Sequence, residues 1–254
     1  MSIPNAALVT GAALRIGRAI ALDLAEHGWA VAVHYNQSAQ EADAVVAKIR
    51  AAGGNAVVLQ ADLSKEAETE SLMQRAVDAL GPIGCLVNNA SRFEHDDIET
   101  ADRASWDAHL GTNLWAPLVL TQAMARLLPR EHEGIVVNML DQRVWNLTPH
   151  FLSYTVSKSG LWTLTRTLAL ALAPRIRVNA IGPGPTLANE RQSDEQFRRQ
   201  YESMPLRKPV DVSEICEAVR FLISTRSVTG QMIALDSGQH LAWVHPYQSG
   251  DASD

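Results

Sequence analysis

Tyr154 and Lys158 stand four residues apart in a stretch whose apolar spacing predicts a helix. That spacing sets both side chains on one helix face. A free phenol titrates near pH ~10 and is a poor acid–base catalyst at neutrality. A neighbouring ammonium favours the phenolate and lowers that value, each pKa unit being worth about 1.4 kcal/mol. Such a pair can move a proton while the lysine also holds hydroxyl groups of a bound molecule. The same pair is common on exposed helices, so its meaning depends on what positions it.

The positioning elements read as alternating strands and helices. Apolar or β-branched runs predict strands at Ala6 to Thr10, Ala30 to Tyr35, Ala56 to Gln60, Cys85 to Asn88, Gly134 to Met139, Ile176 to Ile181 and Met232 to Leu235. Helical patterns lie between them: Arg15 to Glu26, Ala39 to Ala52, Glu66 to Leu80, Trp106 to Leu128, Leu152 to Ala173 and Val212 to Ser224. Leu161, Leu164, Leu168 and Leu172 line one face of the fifth of these helices. This alternation implies right-handed crossovers and an α/β fold, a single Rossmann-type doubly wound parallel sheet with helices on both faces. No Pro/Gly/Ser-rich linker interrupts it, so residues 1–244 are expected to form one domain. A charged stretch, about 185–208, breaks the rhythm and is expected to be a substrate lid. Residues 245–254 read as a polar tail.

In such sheets ligands sit beyond the carboxyl ends of the strands. The first strand leads into Thr10-Gly11-Ala12-Ala13-Leu14-Arg15-Ile16-Gly17 and a helix follows at once. This turn can present backbone N–H groups and a helix N-terminus to a pyrophosphate. Gly11 permits the tight turn and Gly17 the close helix approach, while Arg15 occupies the place of the usual middle glycine. The second strand ends His34-Tyr35-Asn36-Gln37-Ser38. A free ribose 2′-hydroxyl usually meets an acid there. No acid is present, which favours NADP(H) over NAD(H). No Arg or Lys is present either, so His34, Tyr35, Asn36 and Ser38 would have to grip a 2′-phosphate. Asp62, after the third strand, can accept a hydrogen bond from an adenine amino group.

Composition narrows the partners. The 254 residues carry 46% hydrophobic side chains and a formal net charge of −6. No basic tract serves nucleic acid or an anionic membrane. Cys85 and Cys216 lie far apart without metal-type spacing, as expected of two reduced thiols in a cytosolic protein. No metal is expected. The N-terminus lacks a basic region followed by a long apolar stretch, and Leu168 to Ala173 is too short to span a bilayer. The reading is a cytoplasmic protein acting on a small molecule.

Asn88-Asn89-Ala90-Ser91 follows the fourth strand, Asn113 sits in the next helix, and Pro183-Gly184 follows the sixth strand. With the Thr10–Gly17 turn and Tyr154-x-x-x-Lys158, these segments make the chain resemble the short-chain dehydrogenase/reductase family over nearly its whole length. The resemblance implies hydride transfer with a nicotinamide cofactor. It implies cofactor contacts from Ile16, Leu63, Asn89, Ala90, Ser91, Tyr154, Lys158, Pro183 and Gly184. It also implies a catalytic tetrad of Asn113, a serine, Tyr154 and Lys158, and frequent tetramers. The apolar faces of the helices near Trp106–Leu128 and Leu152–Ala173 would serve a tetramer, and Ala242-Trp243 could join that interface.

Where the family's serine normally stands, thirteen residues before Tyr154, this chain has Asp141. A hydroxyl can donate to a substrate carbonyl, whereas an ionised carboxylate only accepts and opposes a developing alkoxide. A ring C=N substrate fits better, because its nitrogen needs a proton as hydride reaches the carbon. This departure resembles the pteridine reductase branch of the family, of the dihydromonapterin and dihydrofolate reductase type. Arg15, His34-Tyr35 and Asn88-Asn89-Ala90-Ser91-Arg92-Phe93 match it as well. The resemblance implies that Phe93 stacks on a pterin and that Ser91 and Arg15 touch the pterin and the cofactor phosphates. Gln37 departs from the basic residue often found in the branch. Two other readings compete: a carbonyl or 3-oxoacyl reductase that has repurposed Asp141, and a cofactor-binding regulatory protein without turnover. The intact Tyr154–Lys158 pair argues against the latter.

Overall fold

The fold is taken from a computed structural model, which describes residues 2–188 and 192–241. Seven strands form one parallel sheet: β1 (Ala6–Val9), β2 (Ala30–Tyr35), β3 (Ala56–Gln60), β4 (Cys85–Asn88), β5 (Gly134–Met139), β6 (Ile176–Pro183) and β7 (Met232–Leu235). Their order is β3-β2-β1-β4-β5-β6-β7. The chain reverses direction of travel across the sheet between β1 and β4, and open α/β sheets bind ligands at such a switch point.

Alternate residues of each strand point to opposite faces. Ala7 and Val9 of β1 join one buried cluster with Ile20 and Leu24 of α1 (Arg15–Glu26), Val45 and Ile49 of α2 (Ala39–Ala51) and Ile215 and Leu222 of α8 (Val212–Ser224). Ala6 and Leu8 join the other, with Leu72 and Met73 of α3 (Glu66–Leu80), Leu120 and Met124 of α5 (Ala116–Leu127) and Ala169 of α6 (Leu152–Leu172). The sheet is therefore covered on both faces, as its continuous apolar strands require.

Two expectations need correction. The helix predicted from Trp106 to Leu128 is three pieces: α4 (Arg103–Leu110), a π-helical turn (Gly111–Trp115) and α5. Pro117 has no N–H to donate to the Asn113 carbonyl four residues earlier, so the α-helical ladder is interrupted there. The stretch expected to be a lid contains a further helix, α7 (Asp194–Glu202). It buries none of its residues and begins with a capping box between Ser193 and Gln196. The Ala242-Trp243 contact and the tail at 245–254 lie outside the described residues, as do lid residues 189–191.

Candidate active site

Helix α1 starts without help. Its N-cap is Leu14, no side chain caps it, and its first turn carries no acid. Its leading N–H groups are thus left for an anion, as a pyrophosphate requires. The turn before it is tightly built. Gly11 has φ +62°, and a Cβ on Gly17 would lie 2.2 Å from the Gly11 carbonyl oxygen. Arg15 keeps φ +52° although it is not glycine. The turn has kept the left-handed geometry of the missing glycine, at a cost of about 1–2 kcal/mol. Asn89 donates from Nδ2 to the carbonyls of Thr10 and Gly11 at 2.9 and 3.1 Å. The Thr10 hydroxyl accepts from the N–H groups of Asn89 and Ala90 at 2.9 and 3.0 Å. The two strand ends at the switch point are thereby tied together.

His34 does not face the nucleotide. It is buried, and its Nδ1 accepts from the Gly11 N–H at 3.0 Å while its Nε2 lies 3.0 Å from the Ala61 carbonyl. The expectation that it grips a phosphate is corrected: both ring nitrogens are occupied, and burial pushes its pKa down to about 4. Asn36 is exposed, and Ser38 and Tyr35 are half-buried, at the carboxyl end of β2. Asp62 holds its own turn, accepting from the Ser64 N–H and hydroxyl at 3.0 and 2.7 Å. The Leu63 side chain is buried in the core, which leaves only its backbone for a ligand.

The reaction side is a cavity of about 490 Å³ lined by Arg15, Ile16, Asn89, Ser91, Phe93, Asp141, Tyr154, Lys158, Pro183 and Gly184 among others. Gly11, Gly17, His34, Tyr35, Asn36, Ser38, Asp62, Leu63, Ala90 and Asn113 are not part of that lining. The close approach at Gly184 is required, since a Cβ there would lie 2.7 Å from the Asp236 Cα.

Tyr154 and Lys158, one turn apart on α6, are both buried at the cavity. The Tyr154 hydroxyl donates to Asp141 Oδ2 at 2.9 Å. Burial first, and then the charge of Asp141, hold the phenol well above its ordinary pKa. The expectation that Lys158 lowers it is corrected for the protein alone. The Lys158 ammonium donates to the Met139 carbonyl at 2.8 Å and lies 5.7 Å from the Tyr154 ring centroid. Burial pulls the Lys158 pKa down to about 8.

Asn113 also departs from its expected part. Its Oδ1 accepts from the Arg92 N–H at 2.8 Å and the Ser91 hydroxyl at 3.2 Å. Its Nδ2 donates to the Arg92 carbonyl at 2.9 Å and the Ser157 hydroxyl at 3.0 Å. The side chain is spent on joining the loop after β4 to α6, so Asn113 is a positioning residue.

Sequence reasoning missed Arg143. It is buried, pairs with Asp141 Oδ2 at 3.2 Å, and donates its backbone N–H to Asp141 Oδ1 at 2.8 Å. Phe93 stacks on Phe151 with centroids 4.5 Å apart and planes at 8°, and meets Tyr154 edge-on at 4.7 Å. The Arg143 guanidinium lies 5.5 and 5.3 Å from the Phe93 and Phe151 centroids, nearly equidistant, and so flanks the stacked pair. Phe151 itself sits at φ +57°, held by its N–H on the Asp96 carbonyl at 2.7 Å. Arg15 reaches across to the segment after β6, donating to the carbonyls of Ala188 and Leu187 at 2.7 and 2.9 Å.

Known proteins are similar to this chain in sequence and fold. A family described as enoyl-(acyl carrier protein) reductase matches residues 11–240. The structure of FolM alternative dihydrofolate reductase 1 from Brucella canis, complexed with NADP, is 52% identical, with a TM-score of 0.93 over 97% of this chain and 98% of that one. The Brucella suis counterpart, also with NADP, is 51% identical, with a TM-score of 0.89 over 95% and 97%. The 3-oxoacyl-[acyl-carrier-protein] reductase FabG of Staphylococcus epidermidis is 33% identical over 93% of this chain and 99% of its own length. With its parallel seven-stranded sheet, uncapped phosphate turn and Tyr154–Lys158 pair, the chain belongs to the short-chain dehydrogenase/reductase family of oxidoreductases.

Proposed function

We propose that the protein uses NADPH to reduce a ring C=N bond of a pterin or folate-like substrate. The observation that carries this reading is the Tyr154–Asp141 hydrogen bond, 2.9 Å long and set in a cavity walled by Phe93. NADPH supplies the hydride when bound. The uncapped start of α1 fits its pyrophosphate, with Gly11, Arg15, Ile16 and Gly17 forming the turn. Tyr35, Asn36 and Ser38 would meet the 2′-phosphate, where a carboxylate would repel it. Asp62 and Leu63 would border the adenine. Asn89, Ala90, Ser91, Lys158, Pro183 and Gly184 would lie along the nicotinamide side.

The Tyr154 phenol is held in its protonated form, which is the form a proton donor needs. Asp141 orients that proton, and Arg143 balances the carboxylate, so the Tyr154–Asp141 unit can hand a proton to a ring nitrogen. Phe93 offers a flat face to a flat ring, while Ser91 and Arg15 stand at the same cavity for its polar edge. The likeness to the two Brucella dihydrofolate reductases supports this substrate class. The FabG relatives favour the competing 3-oxoacyl reading. Asp141 weighs against it, since a carboxylate cannot donate to a carbonyl oxygen.

The test is NADPH oxidation with dihydrobiopterin and dihydrofolate, run beside a β-ketoacyl thioester and simple ketones. Turnover of the pterin or folate is expected; turnover of ketones alone would overturn the reading. We further place the enzyme in the cytoplasm, supported by its two free, buried cysteines, and expect a homotetramer. Exposed Val156 and Leu170 on α6 support the latter, and sedimentation would count the subunits.

A further inference from the structure

The loop that carries Phe93 continues into His95 and Asp97, and the loop that ends at Phe151 contains His150. One ligand atom from each of these three residues lies within 4.8 Å of the other two. The His95 and His150 rings are 5.5 Å apart and tilted by 33°. Their separation in sequence hides the grouping; only the fold brings them together.

The grouping is held in place by what lies between its members. The N–H groups of Phe151 and Leu152 donate to the Asp96 carbonyl at 2.7 and 3.3 Å. The Asp96 carboxylate accepts from the Ser153 N–H at 3.1 Å and the Ser105 hydroxyl at 2.8 Å. Asp96 thus staples the two loops at the residue between His95 and Asp97 and beside His150. Asp97 Oδ1 accepts from the N–H groups of Glu99 and Thr100 and from the Thr100 hydroxyl, at 3.0, 3.0 and 2.8 Å. Three donors hold that carboxylate as an anion, all of them on Oδ1, and among the described residues Oδ2 accepts no hydrogen bond.

We propose that His95, Asp97 and His150 bind a divalent first-row transition metal, best matched by Zn²⁺. Two imidazoles and one carboxylate form a mixed nitrogen–oxygen set, which suits zinc, with water completing a tetrahedron. Ligand atoms about 2.0–2.2 Å from zinc stand roughly 3.3–3.5 Å apart. Binding therefore draws the three ligand atoms together from a spread of up to 4.8 Å, and His95, which is exposed, has room to turn.

The site is structural in effect. His95 meets Phe151 edge-on at 5.1 Å, Phe151 stacks on Phe93, and Phe93 meets Tyr154. A metal joining the two loops therefore stiffens the aromatic wall of the cavity without touching the reacting groups. Nothing in this depends on which substrate the cavity takes.

The experiment uses the full chain, stripped with EDTA and titrated with ZnCl₂ against a chromophoric competitor. One Zn²⁺ per chain is expected to bind, with a rise in the unfolding temperature that EDTA reverses. His95→Gln and His150→Gln are each expected to weaken binding by at least ~10-fold. His95 is exposed, so its variant should melt like the metal-free parent. Zn²⁺ should also slow amide exchange at 93–97 and 148–153. Absence of saturable binding, or both variants binding as the parent does, would mean adventitious histidine contacts only and would overturn the site. Unchanged exchange at those loops on a bound metal would overturn the stiffening.

Discussion

At the carboxyl ends of β1 and β2 the site is built from backbone: an uncapped helix start, a turn too tight for a Cβ at Gly17, and a buried neutral His34 bracing the Gly11 N–H. At the ends of β4 to β6 it is built from side-chain charge: Asp141 between Arg143 and Tyr154, with Lys158 one turn away. The first half offers an anion fixed backbone dipoles and turns the His34 imidazole away from it. The second places Tyr154 and Lys158 in burial that resists their ionisation. A phosphate site needs permanent partial charge, whereas a proton-transfer site needs groups whose protonation can change.

That contrast can be broken from the reaction side first. Tyr154→Phe removes the proton donor and is expected to lower kcat by ~10²–10⁴-fold. NADPH binding, read by fluorescence titration, should stay near the parent value. A matching loss of cofactor affinity would show the two halves to be one. Arg143→Met leaves the half-buried Asp141 carboxylate without its cation and is expected to cost about 2 kcal/mol in denaturant unfolding. A cost below about 1 kcal/mol would mean that solvent already screens the pair.

His34 tests the phosphate side. Its pKa is about 4 in the fold against about 6.5 unfolded. Below pH ~6.5 the unfolded chain takes up a proton that the fold refuses, so stability falls as pH drops from about 6.5 to 4. The full span is worth about 3 kcal/mol. His34→Gln should lose that component of the acid dependence; identical pH curves for variant and parent would remove His34 from this role. Replacing Arg15 with glycine is expected to have the smallest effect, a gain of about 1 kcal/mol in unfolding free energy from relieved backbone. No gain would show that its contacts with the Leu187 and Ala188 carbonyls fully offset the strain.

The sheet was legible because its strands are short apolar runs, several of them ending at or near glycine, proline or asparagine, and Tyr154, Lys158 and Asp141 because their spacing is fixed by one helix and the strand before it. Arg143 was not, since an arginine in a polar loop carries no periodic signal, and only the fold buries it beside Asp141. The inward turn of His34 was available in principle: it alternates in phase with Ala32, which is buried. The π-helical turn had a marker in Pro117, four residues after Asn113. Helix α7 buries nothing, so hydrophobic periodicity could not find it, although Ser193 and Gln196 spell its start.

Arg15 has a consequence of another kind. A glycine there would make the turn without strain and leave it silent. With arginine, the same position makes the turn and also carries a guanidinium to the carbonyls of Leu187 and Ala188, over 170 residues further along the chain. Local backbone strain here accompanies a long-range contact. Any anion that draws Arg15 toward the turn must compete with the Leu187 and Ala188 carbonyls for it, so occupancy of the turn and the position of the 187–188 segment would be thermodynamically linked through one side chain.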